Sequence, residues 1–146
     1  MILTIDQQIE TMHAVWPTFK LVRREGRAAI WRGTLRPLLQ TYVVEIVYRV
    51  PLALEHVPIR RLQPQVEILN PQLRPRFGDP EGMLPHVYYG ADGRVSLCLL
   101  DPDASEWSVS DLLAETTVPW TIDWLAAYEG WRATGAWTAP GRHVEA

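Results

Sequence analysis

The groups in this sequence with chemistry to offer are one thiol, four imidazoles and a few tyrosines and carboxylates. Cys98 is the only cysteine and lies in Ser96-Leu97-Cys98-Leu99-Leu100. A cysteine thiol of ordinary pKa, about 8.5, is a few per cent thiolate at neutral pH, enough for acyl exchange without a dedicated base. One cysteine excludes an internal disulfide and a multi-cysteine zinc site, and leaves a catalytic or redox thiol open. Taken locally, the apolar neighbours point to a buried structural thiol, because reactive cysteines need partial exposure and a polarising environment. His13, His56, His86 and His143 lack the close spacing of a metal-binding helix. Neither a metal nor another cofactor is expected.

Several groups near Cys98 in sequence could assist it. An imidazole titrates close to working pH, so His86 suits either proton transfer or bracing of its loop by hydrogen bonds. Tyr88 and Tyr89 have hydroxyls that could donate to an oxyanion; the alternative is packing in a sheet with the hydroxyl satisfied elsewhere. Asp101 lies three residues after Cys98, where a carboxylate could deprotonate an incoming amine, but Pro102 behind it favours a turn residue. Trp107, Trp120, Trp124, Trp131 and Trp137 read as core and helix-docking residues, most of them at or beside helical spacing.

Elements must bring these residues together. Thr4 and Gln7 form a capping-box pair, and Ile5, Ile9, Met12, His13 and Trp16 follow at helical spacing until Pro17. Residues 28–35 and 41–50 are rich in β-branched and aromatic side chains, with Arg36-Pro37 between them. The second alternates, placing Tyr42, Val44, Ile46, Tyr48 and Val50 on one face and Glu45 and Arg49 on the other. Seven prolines from Pro51 to Pro85 exclude long helices there and leave room for one short strand, 65–69. Ala91-Asp92-Gly93 is a turn ahead of the apolar run 95–100. Ser108 and Ser110 are candidate caps of a short helix, Pro119 suits the first position of a second, and Gly135 is placed to stop it. The order predicts an α+β domain with helices packed against an antiparallel sheet.

At 146 residues the chain fits one domain, 1–146. A composition 47% hydrophobic and 21% charged can build a packed core. The net charge of −3 supplies no basic surface for a phosphate backbone, so nucleic acid is not an expected partner. The first ten residues show no basic region followed by an apolar stretch, and no run approaches the length of a membrane span. A cytoplasmic protein without membrane contact is expected.

Taken as one string, Pro85-His86-Val87-Tyr88-Tyr89, Asp92-Gly93, Leu97-Cys98-Leu99 and Trp107-Ser108 resemble the active-site segment of ubiquitin-conjugating enzymes. That family carries a His-Pro-Asn element, an Asp-Gly turn, a Leu-Cys-Leu nucleophile segment and a Trp-Ser pair. Here Tyr88 stands where the asparagine is expected, and the His86 to Cys98 interval is longer. The resemblance covers nearly the whole chain. It implies an N-terminal helix, a four-stranded antiparallel meander, a proline-rich passage containing Pro64-Gln65-Val66-Glu67-Ile68, and C-terminal helices. Thr117-Val118-Pro119-Trp120, Trp124-Leu125, Tyr128-Glu129, Trp131, Thr134-Gly135-Ala136-Trp137 and Gly141-Arg142-His143 are similar to the stand-alone conjugating-enzyme-like proteins of short CBASS anti-phage operons.

The resemblance reverses the local reading of Cys98. It implies that Cys98 forms a thioester with the C-terminus of a cGAS-like nucleotidyltransferase, or of a ubiquitin-like protein, with His86 beside it. Tyr88, Asp101 and His143 are possible assisting residues, His143 on the resemblance alone. The acceptor, a protein or a small amine, is left open. A non-catalytic binding module of the same fold, scaffolding the same partners, is the alternative that the missing asparagine motivates. A cysteine hydrolase is a third reading, and the sequence has no recognisable nucleophile-on-helix signature for it.

Overall fold

The computed structural model describes residues 1–52, 62–76, 84–99 and 107–138. Helix α1, Ile5–Val15, starts with the expected capping box: the Thr4 hydroxyl accepts from the Gln7 N–H (3.1 Å) and the Gln7 side chain accepts from the Thr4 N–H (2.8 Å). Its buried face is Ile5, Gln8 and Met12 with Ile9 and Trp16 partly covered; His13, expected on that face, is exposed.

Four antiparallel strands follow in sequential order: β1 Lys20–Glu25, β2 Ala28–Leu35, β3 Tyr42–Arg49 and β4 Gln65–Asn70. The alternation in β3 has the predicted consequence. Tyr42, Val44, Ile46 and Tyr48 are buried and meet Ala29, Trp31, Val66 and Ile68 of the neighbouring strands in one core. On the outer face, register aligns Arg32, Glu45 and Glu67 in one row and Ile30, Val47 and Gln65 in the next. The sequence patterns had not signalled β1. Every residue of Lys-Leu-Val-Arg-Arg-Glu is exposed, so no alternation marks the strand, and its charges suit an edge that must not pair with another chain.

A short antiparallel hairpin comes next, β5 Val87–Tyr89 and β6 Val95–Leu97, joined by the Gly90–Arg94 turn. Within that turn the Gly90 N–H donates to the Arg94 carbonyl (2.8 Å) and the Asp92 side chain accepts from the Arg94 N–H (3.0 Å).

Residues 108–116 form successive turns where a short helix was expected. Three of the carbonyls that a helical ladder would use are taken by the N-terminal segment. Asp111 O accepts from Gln8 Nε2 (2.9 Å), Ala114 O from Trp16 Nε1 (2.7 Å) and Val109 O from the Leu3 N–H (3.1 Å). Helix α2, Thr117–Thr134, then packs Val118, Trp124, Leu125, Tyr128 and Trp131 into the core, with Tyr128 edge-on to Tyr42 of β3. Pro119 is its third residue, two later than expected. The position is tolerated because the first four N–H groups of a helix have no intrahelical acceptor to lose. Gly135 stops the helix in the left-handed conformation (φ 86°), as expected. The fold is α+β, with one C-terminal helix among the described residues, none of whose helices is long and apolar enough to cross a membrane.

Candidate active site

Cys98 follows β6 directly, at the open end of the hairpin. Its N–H donates to the His86 carbonyl (2.9 Å), which extends the ladder formed by Val87 with Leu97, Tyr88 with Ser96 and Tyr89 with Val95. The long His86 to Cys98 interval is therefore taken up by the hairpin, which returns the chain to its starting point. Strand alternation decides the exposure of the thiol. Leu97 and Leu99 are buried in the core, while Cys98 between them is half-buried and turned to the other side. The local expectation of a buried thiol is corrected on this ground.

Tyr88 and Ser96 are cross-strand partners, and Cys98 lies two residues beyond Ser96, so all three project from one face of the hairpin. The Cys98 thiol donates to the Tyr88 hydroxyl oxygen across 3.3 Å. With a thiolate, the same hydroxyl can rotate and become the donor. The Tyr89 hydroxyl instead accepts from the Leu84 N–H (3.1 Å), away from the sulfur.

His86 has a positive φ of 52°, a region sparsely occupied by residues other than glycine. Two aromatic side chains of the C-terminal part hold it there. Trp124 Nε1 of α2 donates to the His86 carbonyl (3.0 Å), and Trp137, brought back by the Gly135 turn, packs on the imidazole at 4.8 Å between ring centroids. Burial lowers the pKa of the imidazole below 6.5 and favours the neutral ring at pH 7, with one donor and one acceptor nitrogen.

The structure thus brings together Cys98, His86 and Tyr88. Asp101 and His143 lie outside the described residues. A profile of the family described as "Type II CBASS E2 protein" matches residues 8–144. The chain belongs to that family. Membership places it in CBASS anti-phage defence and in association with other CBASS components. No individual curated protein matches it.

For this type II CBASS E2 protein, sequence reasoning had placed Trp124 and Trp137 in the core without seeing that they grip His86. Helical spacing reports which face is buried but not which indole N–H meets which carbonyl. Ser96, on the Cys98 face of the hairpin, and Arg94, at its far end, were also missed. Alternation from Cys98 would have placed Ser96; no sequence signal marks Arg94. Beside the hairpin, a groove of about 470 Å³ runs against the outer face of the sheet, lined among others by Val47, Gln65, Glu67, Tyr88, Tyr89 and Arg94.

Proposed function

We propose that this protein carries the C-terminal acyl group of a partner protein as a thioester on Cys98 and passes it to an amine. The partner is the cGAS-like nucleotidyltransferase of the operon, or a ubiquitin-like protein. One observation carries the reading: in a chain of this family, the only thiol is half-exposed with a tyrosine hydroxyl 3.3 Å from its sulfur.

Charging starts from an activated C-terminus, an acyl adenylate or the thioester of an activating enzyme. The Cys98 sulfur attacks the carbonyl carbon, the S–C bond forms, the bond to the leaving group breaks, and the thiol proton goes to the leaving group or to water. In discharge an amine nitrogen attacks the same carbon. The N–C bond forms, the C–S bond breaks, and a proton from the amine ends on the sulfur or in solvent. Both steps pass through a tetrahedral oxyanion and a sulfur that gains negative charge. The Tyr88 hydroxyl supports this reading as a donor to that charge, in the role of the family's asparagine. His86 contributes by fixing the Cys98 backbone through its carbonyl, and burial favours its neutral ring.

The test is mass spectrometry of the protein isolated with its operon partners. The wild type should carry an adduct at position 98 that hydroxylamine or thiol releases, and Cys98→Ser should trap a more stable oxyester or carry none. Absence of any partner attachment at Cys98 under activating conditions sinks the proposal. Retained defence in Cys98→Ala with stable partner binding would favour the non-catalytic scaffold instead.

A further inference from the structure

The hairpin that carries Cys98 is fixed at two ends by different physics. Among the described residues, its base is held by the aromatic side chains of Trp124 and Trp137 at His86 and by Leu97 in the core, and its tip by Arg94. Arg94, at the end of the turn, reaches the outer face of the sheet and pairs with both oxygens of Glu67 on β4, Nε to Oε1 at 3.0 Å and Nη2 to Oε2. The same Nη2 lies 3.9 Å from Oε1 of Glu45 on β3. Glu45 and Glu67 are directly opposite each other in the β3–β4 register, an arrangement of like charges that destabilises a sheet unless a cation lies between them. Glu45 is only 8% exposed, and its other oxygen accepts from Arg32 Nε (2.7 Å). The sheet thus presents a pair of carboxylates with a place for a cation, and the bidentate fork of Arg94 fits it with a defined orientation.

We propose that Arg94 is a positioning residue for Cys98: by bridging Glu67 and Glu45 it locks the β5–β6 hairpin onto the outer face of the sheet and so fixes Tyr88 against the Cys98 sulfur. The lock stands on the geometry alone; its part in acyl transfer rests on Cys98 being the nucleophile. The Arg94 side chain is 62% exposed, so salt should weaken the lock.

Amide hydrogen exchange on the full chain tests it. In Arg94→Ala and in Glu67→Gln, exchange across residues 84–99 should accelerate at least about fivefold, the change expected when a local opening loses one clear interaction. Exchange in α2 should not change. The charge-exchanged pair Arg94→Glu with Glu67→Arg should restore slow exchange. In the wild type, raising salt to about 1 M should accelerate the hairpin alone. Alkylation of Cys98 by iodoacetamide should follow the hairpin, not α2. Hairpin exchange in Arg94→Ala within twofold of wild type overturns the proposal, as does an equal loss of protection in α2, or a wild-type hairpin indifferent to salt. The salt measurement needs no variant to fold. If the lock is found but the wild type forms no thioester, it is the reading of Cys98 that fails.

Discussion

The hydroxyl of Tyr88 faces a sulfur that would pass between thiol, thiolate and acylated forms, and its value should appear where charge develops. A hydrogen bond to a charged group contributes about 1.5–3 kcal/mol. Tyr88→Phe should therefore slow single-turnover thioester formation and discharge by about tenfold to a hundredfold, with thermal stability changed little. Equal single-turnover rates for the variant and the wild type would remove Tyr88 from the site. His86 makes a prediction about pH. Burial favours its neutral form, so the folded pKa lies below the unfolded value of 6.5. The unfolded state binds the extra proton first, and stability is full above about pH 6.5 and falls as pH drops below it. Asparagine tolerates a positive φ and does not titrate. In melting curves from pH 8 to pH 5, the wild type should lose stability relative to His86→Asn. A constant difference across that range would show the imidazole to be uninvolved.

Among elements, the join between α1 and the turns at 108–116 has the clearest consequence. Gln8 is 1% exposed and closes two bonds to the backbone, donating from Nε2 to the Asp111 carbonyl and accepting at Oε1 from the Leu113 N–H (2.9 Å each). This polar residue on the buried side of a helix replaces a helical ladder that the turns cannot form. Gln8→Ala leaves both backbone groups without that partner and opens a void. It should cost about 2–4 kcal/mol, well above a substitution on the exposed face of α1. Urea denaturation measures this directly, and a loss below about 1 kcal/mol would mean that water or repacking restores the contacts. The hairpin stands differently. Its strands are three residues long, and beside the burial of Leu97 in the core its geometry depends on α2 at one end and the ion pairs of Arg94 at the other.

For the molecule as a whole, the core is built on aromatic side chains. Tyr48 packs edge-on against Trp107 at 5.7 Å between centroids, and among the described residues neither the Tyr48 hydroxyl nor Trp107 Nε1 has a hydrogen-bond partner. Burial pushes the Tyr48 phenol from 10.0 up to about 12. An acid whose folded pKa is raised stabilises the fold fully below its unfolded pKa, and that stability is lost as pH rises through the folded value. Stability should thus decline from about pH 10 upward. Tyr48→Phe removes the unsatisfied hydroxyl, so it should raise stability at neutral pH by up to about 1 kcal/mol and move the alkaline unfolding limb to higher pH. Calorimetry between pH 7 and pH 12 checks both, and an unmoved alkaline limb would assign that limb to other groups, Tyr42 first, since its burial beside Glu129 also raises its pKa.

Sequence alone determined the elements whose signals are local. The capping box at Thr4, the alternation from Tyr42 to Tyr48, the Asp-Gly turn and the stop at Gly135 each follow from chemistry within a few residues, and each is where the pattern put it. The ordered motifs from His86 through Trp107 to His143 were enough for the family. Tertiary structure decided what depends on distant partners. It put Leu97 and Leu99 rather than Cys98 into the core and turned residues 108–116 from a helix into turns, because α1 claims their carbonyls. It also found an edge strand that buries none of its residues, and set an arginine from a loop between two facing carboxylates of the sheet. Cys98 began as a thiol among leucines. Register, a property of two strands and not of one, turned it toward Tyr88.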